Sequence, residues 1–191
     1  MGGRMYELDG YRSAYFPLKR FEILDRSTGR SDPIYAPDYW RGELSDRDLI
    51  WIVHPHRDYR VQITFDPFRR HPETARQCRA LLSSLVKGLE AGARTCPVTA
   101  SQDGETGLIE TVSDMGDGFH VFRLFRLCPR DDLFFVGQIA FEFKAELADA
   151  PETRDLIELF RSQLLAADPP DDLPIADDRL LRLSFKLPSE S

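Results

Sequence analysis

Residues 119–144, FHVFRLFRLCPRDDLFFVGQIAFEFK, decide the fold because they hold two long runs in which apolar side chains recur with the period of a β-strand. Phe122 and Leu124 lie on one face of the first run. Val121 and Phe125 lie on the opposite face, so this strand is apolar on both sides. A sheet with such a strand needs a covering layer on each face. The sequence therefore predicts two adjacent antiparallel strands at the centre of a sheet that is buried from both sides.

Further strands are predicted on either side of this pair. Residues 59–65 alternate between apolar and polar types and follow the short apolar run 49–53, which together predict a hairpin. Residues 108–112 predict another strand of the same meander, and 181–187 predict a closing strand with one buried face. Residues 1–24 predict a first strand that is entered by an irregular arm.

Two amphipathic helices are predicted, one before and one after the meander. Pro72 suits the first turn of a helix, and apolar residues recur after it at steps of three and four. Pro151 begins the second helix, whose apolar stripe extends to Leu165. We expect these helices to cover opposite faces of the sheet. The predicted fold class is α+β, an α/β/α sandwich with a central, mainly antiparallel sheet flanked by two long helices.

The chain has 191 residues, which is the size of one large domain. We expect residues 1–191 to form a single domain, since no linker separates two self-sufficient cores. Prolines, glycines and charges predict an irregular loop at 25–48, and aspartates and prolines predict an acidic connector at 168–178.

Charge and cysteine content restrict the class of protein. A net charge of −7 argues against nucleic acid as a partner, because nonspecific nucleic-acid binding needs many cations against the phosphates. Three scattered cysteines form neither a disulfide framework nor a zinc motif. No apolar run has the length of a signal peptide or a membrane span. We therefore expect a cytoplasmic protein that does not associate with membranes.

The order of elements resembles that of the PsbP-like family, relatives of a photosystem oxygen-evolving subunit that include small Ran-binding proteins. Three features carry the resemblance: the hairpin with Val61-Gln62-Ile63-Thr64-Phe65 before the helix from Pro72, the meander 107–144, and the helix 151–165. The resemblance implies an α/β/α sandwich over nearly the whole chain. It also implies a binding or assembly module, because members of such families share no catalytic site.

A basic cluster precedes the first predicted helix and is a candidate anion site. It consists of Arg69, Arg70, His71 and Arg76. Free N–H groups at a helix N-terminus and bidentate guanidinium groups both favour phosphate or carboxylate. The alternative is that neighbouring carboxylates of the same chain, such as Glu73, neutralise the cluster.

Histidines offer a candidate metal site between the strands of the hairpin. His54 and His56 are separated by one residue, and His71 is a possible further ligand. A solvated turn is the competing interpretation, because Pro55 favours a turn. Four aromatic residues could line a pocket or belong to the core: Tyr35, Tyr39, Trp40 and Trp51.

The sequence contains no nucleophile elbow, Walker loop or dinucleotide-binding motif, so we predict no cofactor and favour a protein without catalytic activity. The leading hypothesis is a non-catalytic, cytoplasmic domain that binds another protein or assists assembly, with self-association into a homo-oligomer as an option. One alternative is a protein that binds an anionic small ligand, or a hydrolase, at the Arg-rich helix N-terminus. A third hypothesis is metal-dependent catalysis by the histidines.

Overall fold

The structure is a computed structural model, and it describes residues 4–25, 30–44, 50–69, 93–95, 99–100, 107–115, 117–130 and 133–166. The strands in this part of the chain are β1 (Tyr6–Leu8), β2 (Tyr11–Ser13), β3 (Leu18–Asp25), β4 (Arg30–Pro37), β5 (Arg41–Leu44), β6 (Ile50–Val53), β7 (Tyr59–Arg69), β8 (Ala93–Thr95), β9 (Thr99–Ala100), β10 (Gly107–Asp114), β11 (Phe119–Arg130) and β12 (Leu133–Lys144). A 3₁₀ turn (Ala145–Leu147) then precedes the helix α1 (Pro151–Ala166).

The strands form one large antiparallel sheet and two small ones. The order in the large sheet is β5-β6-β7-β12-β11-β10-β8, with β9 also paired to β10. The hairpins β1-β2 and β3-β4 are separate two-stranded sheets. The predicted hairpin at 49–65 is confirmed by the pairing of β6 with β7. The predicted meander is confirmed by β10, β11 and β12, in which Phe122 pairs with Phe141 and Leu124 with Ile139.

The hydrophobic core lies between α1 and one face of the large sheet. Side chains of β11, β12 and α1 that are fully inaccessible to solvent meet there: Phe122, Leu124, Ile139, Phe141, Leu156, Phe160 and Leu164. The rings of Phe141 and Phe160 lie 5.1 Å apart, so aromatic packing joins the helix directly to the sheet. On the other face of β11, Val121 and Phe125 are buried too. The prediction that this strand is buried from both sides is confirmed.

A second flank of α1 packs against the N-terminal hairpins. Ile34 and Ala36 of β4 are fully buried in the same core as the helix residues. Near the start of the helix, Asp155 accepts a hydrogen bond from Ser13 at the end of β2. The helix therefore joins three sheets rather than covering one.

The predicted α/β/α sandwich with two long helices is wrong. The described residues form mainly antiparallel sheet, and α1 is the one α-helix among them. No local pattern of the sequence shows which sheet a strand joins, and β3 and β4 pair with each other in a separate sheet instead of extending the central one. The helix predicted from Pro72, the connector 168–178 and the closing strand 181–187 lie outside the described residues.

The prediction of an irregular loop at 25–48 is also wrong where the structure describes that segment. Strands β4 and β5 both lie within it. Pro33 and Pro37 fit into β4 because this strand belongs to a two-stranded sheet, in which a missing backbone donor is tolerated on the outer edge. The single domain over 1–191 stays a prediction.

Candidate binding cleft

An open cleft of about 420 Å³ lies at the end of the large sheet where β6, β7 and the start of α1 meet the N-terminal segment. Its lining residues come from four separate parts of the chain: Tyr15, Phe16, Tyr39, His54, Arg57, Tyr59 and Glu152. A volume of this size suits a small ligand or a few residues of a peptide.

The turn after β2 brings Tyr15 and Phe16 to the cleft. The Ser13 hydroxyl accepts the Tyr15 N–H at 3.2 Å and the Phe16 N–H at 3.0 Å, and it donates to Asp155 Oδ2 at 2.5 Å. The Ala14 N–H donates to the other oxygen of Asp155 at 3.3 Å. Because Ser13 is almost fully buried, this network fastens the turn to α1.

Tyr39 lies in the turn between β4 and β5. The Asp38 N–H donates to the Pro17 carbonyl at 2.9 Å, which ties this turn to the segment that carries Phe16. The neighbouring Trp40 is only 2% exposed and stacks on Tyr59 with 6.3 Å between ring centroids. Tyr39 itself stays 40% exposed, and partial burial raises the pKa of its hydroxyl. The buried Trp40 ring therefore holds the turn that carries the exposed Tyr39 ring.

His54 closes one side of the cleft and holds the turn that follows it. Its Nδ1 accepts the N–H groups of His56 and Arg57, both at 2.9 Å. The neutral ring with this bonding carries its proton on Nε2. Burial lowers the pKa of His54, and the charges of Arg57 and His56 lower it further. The ring meets Tyr39 edge to face at 5.2 Å, so the imidazole belongs to the aromatic lining.

Two linked hydrogen bonds fix the lining residue Tyr59 to the start of α1. Thr153 Oγ1 donates its proton to the Leu147 carbonyl at 2.7 Å. The contact of 2.8 Å between the Tyr59 hydroxyl and Thr153 Oγ1 must therefore be donated by Tyr59. Both side chains are buried, so water cannot replace this hydrogen bond if either partner is removed.

At the rim, Arg57 in the turn after β6 and Glu152 at the start of α1 form an ion pair. Arg57 Nη1 lies 3.2 Å from Glu152 Oε1, and this hydrogen bond raises the pKa of the guanidinium. Half of the Arg57 side chain is exposed, so the pair adds little to stability. It does leave the rim without net charge.

The aromatic rings form a continuous row along the cleft. Tyr15 and Phe16 are 6.2 Å apart, and Phe16 and Tyr39 are 6.1 Å apart. Tyr15 is 49% exposed, which makes it, with Tyr39, a large apolar surface open to solvent. Rings held in this way offer stacking surface together with phenolic O–H groups.

The predicted metal site is brought together only in part. His54 is half-buried in the cleft, His56 is exposed, and their rings are 6.4 Å apart. His71 lies outside the described residues. Within the ranges that the structure covers, no three His, Cys, Asp or Glu side chains lie close enough together to hold a metal ion.

The predicted anion site stays a prediction. Arg69 ends β7, where its backbone pairs with Leu133. Its side chain and all of Arg70, His71 and Arg76 lie outside the described residues.

The four aromatic candidates separate into different roles. Tyr39 lines the cleft, whereas Trp40 belongs to the core. Tyr35 packs against Tyr11 at 4.5 Å, and the guanidinium of Arg60 covers the Trp51 ring at 4.9 Å. Sequence reasoning missed Tyr15, Phe16, Arg57, Tyr59 and Glu152 as cleft residues. The adjacent aromatic pair Tyr15-Phe16, directly after a strand, was a usable signal.

Comparison with solved structures shows distant structural likeness. No family model matches the chain, and no curated protein matches it. The solved structures include LpqN, described as involved in cell envelope biogenesis of Mycobacterium tuberculosis, which is similar at 13% identity with a TM-score of 0.41. The match covers 75% of this chain and 86% of LpqN. In the part of the chain that is described, no helix has the length and apolarity of a membrane span. The resemblance to the PsbP-like family is not confirmed and stays a prediction.

Proposed function

We propose that this protein is a binding module that holds a short segment of a partner protein in the cleft between Tyr15 and Glu152. The observation that carries the proposal is the aromatic row of Tyr15, Phe16 and Tyr39, in which both tyrosines are exposed. Tyrosine and arginine are the residue types that most often dominate binding energy at protein interfaces. Solvent-exposed rings beside an arginine therefore favour a protein contact.

The cleft is arranged before any ligand arrives, which lowers the entropic cost of binding. Ser13 and Asp155 fix the Tyr15 turn, and the Asp38 N–H fixes the Tyr39 turn. Few backbone groups need to become ordered when a partner docks on such a surface.

Binding is favoured over catalysis because the polar groups of the cleft are engaged with one another. Nδ1 of His54 accepts two backbone N–H groups, and Glu152 pairs with Arg57. The Tyr59 hydroxyl donates to Thr153. A general base needs a lone pair aimed at a substrate, and the lone pair of His54 Nδ1 is already engaged by two backbone N–H groups while Nε2 carries the proton of the neutral ring. A cytoplasmic location and self-association stay predictions.

The test is a selection of peptides from a random dodecapeptide library displayed on phage, against the purified full chain. Selected peptides are then re-tested against the variant Tyr15→Ser/Tyr39→Ser. The matched control is Met115→Ser/Leu165→Ser, which removes two exposed apolar side chains, 50% and 45% exposed, that do not line the cleft.

We expect the wild-type chain and the control to retain the same peptides and the cleft variant to lose them. Circular dichroism and thermal unfolding check that both variants fold. Peptides that bind the cleft variant as well as the wild-type chain, or a selection without enrichment, would contradict the proposal.

A further inference from the structure

We infer that the segment held in the cleft is proline-rich and adopts the polyproline II conformation. This inference rests on the proposed function and adds the chemistry of the ligand. Three properties of the cleft support it: its neutral charge, its excess of hydrogen-bond donors, and the spacing of its rings.

The charge of the cleft favours an uncharged ligand. Arg57 and Glu152 neutralise each other at 3.2 Å. An acidic or a basic ligand would add a net charge to a rim whose two opposite charges are already paired with each other, so it would meet no unpaired charge of opposite sign among the described lining residues. A neutral segment binds without breaking the pair.

The hydrogen-bonding groups of the lining are mainly donors. Because Nδ1 of His54 is an acceptor for two backbone N–H groups, Nε2–H is the donor that the ring has left. Tyr15 and Tyr39 add phenolic O–H groups. Glu152 is the carboxylate among the described lining residues, and Arg57 occupies it.

A polyproline II segment is the complement of this donor-rich lining. Proline has a carbonyl acceptor and no backbone N–H, so a proline-rich segment presents acceptors without donors. A saccharide presents as many hydroxyl donors as acceptors and would need free carboxylates or amides, which this lining does not offer. An extended strand would present N–H donors as well as acceptors, and a helix would have most of its carbonyl acceptors engaged within itself.

The spacing of the rings suits this conformation as well. Tyr15, Phe16 and Tyr39 are separated by 6.2 and 6.1 Å, so the row is at most about 12 Å long. Polyproline II rises about 3.1 Å per residue, and about four residues would cover the row. Pyrrolidine rings packed between aromatic rings are the usual mode of recognition for such segments.

The test uses two probes on the full chain: decaproline with blocked ends and a (Gly-Ser)₅ peptide of equal length. Binding is measured by nuclear magnetic resonance titration of the wild-type chain, Tyr39→Ser, Tyr15→Ser and the control Met115→Ser. We expect decaproline to bind the wild-type chain and the control equally. Each tyrosine variant should weaken its binding at least 10-fold, and the Gly-Ser peptide should not bind.

Three results would overturn the inference, and the first two differ in what they say about the proposed function. If decaproline does not bind while phage selection yields Tyr39-dependent peptides without proline, the ligand chemistry is wrong but the binding cleft stands. If no peptide of any composition depends on Tyr39, both fail. Tyr39-dependent binding of maltohexaose instead of decaproline would likewise overturn the inference.

Discussion

Gln163 of α1 forms two hydrogen bonds with the backbone of Tyr35 in β4. The Tyr35 N–H donates to Oε1 at 2.7 Å, and Nε2 donates to the Tyr35 carbonyl at 2.8 Å. The amide side chain thus pairs with the outer edge of β4 as a neighbouring strand would. Gln163 is only 4% exposed, so water is a poor substitute for these bonds. This contact joins the N-terminal hairpin, and with it the Tyr39 turn, to the helix.

Gln163→Ala should destabilise the chain by about 1–3 kcal/mol, because it leaves the partly buried N–H and carbonyl of Tyr35 without the amide that pairs with them. The control is Leu165→Ala in the same helix, whose side chain is 45% exposed and should cost less than about 0.5 kcal/mol. Urea denaturation of both variants measures the difference. Equal stabilities would show that the Gln163 contact does not hold the hairpin.

The hydrogen bonds of Thr153 should be cooperative. Tyr59→Phe removes the donor to Thr153 Oγ1, and Thr153→Val removes the shared hydroxyl. We expect a loss of about 0.5–1.5 kcal/mol for the first variant and about 1–3 kcal/mol for the second. In a double-mutant cycle the combined variant should lose less than the sum, since both remove the same bond. Additive losses would contradict the assigned bonding.

Acid should selectively weaken the turn that His54 holds. Burial lowers the pKa of His54 below its ordinary value of 6.5, so the unfolded chain takes up the proton more readily than the folded chain. The contribution of His54 to the free energy of unfolding is therefore complete above pH 6.5 and is lost as the pH falls toward the folded-state pKa. Protonation also removes the acceptor that holds the His56 and Arg57 N–H groups.

The measurement compares the wild-type chain with His54→Asn, which keeps a hydrogen-bond acceptor and does not titrate. Urea denaturation at pH 7.5 and at pH 5.5 should show a stability advantage of the wild-type chain that shrinks at the lower pH. Acid effects of the carboxylates are common to both chains and cancel. An advantage that is constant or grows on acidification would contradict the bonding of Nδ1.

Ser13 should act on binding through the Tyr15 turn. Ser13→Ala removes the acceptor of the Tyr15 and Phe16 N–H groups and the donor to Asp155. We expect a loss of about 1–3 kcal/mol in stability and weaker binding of the selected peptides under conditions where the variant remains folded. If the variant bound those peptides as tightly as the wild-type chain, the hydrogen bonds of Ser13 would not be required to position the Tyr15 turn for binding.

The central strands of the large sheet could be predicted because apolar side chains recur along them with period two. Phe122 and Leu124 on one face and Val121 and Phe125 on the other follow this period, and the structure puts them in a strand that is buried on both faces. The strand β4 was missed because Pro33 and Pro37 are typical of loops. Its backbone is satisfied by β3 on one side and, at Tyr35, by the Gln163 side chain, and neither partner shows in a local pattern.

The cleft could not be predicted because its parts are distant in the sequence. For Tyr39 the sequence leaves a pocket and the core open as alternatives, and the structure puts this residue in the lining of the cleft. His54 was assigned to a solvated turn or a metal site, yet it packs against Tyr39 and Trp40. Glu152 meets Arg57 only because α1 begins beside the turn after β6. This contact depends on tertiary packing, which the local periodicity of the sequence does not reveal.

The affinity of one selected peptide for four forms of the chain tests the binding cleft most directly. Isothermal titration calorimetry compares the wild-type chain, Tyr39→Ser, Tyr15→Ser/Tyr39→Ser and Met115→Ser/Leu165→Ser. Loss of a dominant interface residue costs about 2 kcal/mol or more, so Tyr39→Ser should weaken binding roughly 30-fold and the double variant further. The control should stay within about twofold of the wild-type chain, because surrounding residues that do not contact the ligand are close to neutral for binding and neither Met115 nor Leu165 lines the cleft. Equal affinity for the wild-type chain and both tyrosine variants would contradict the account.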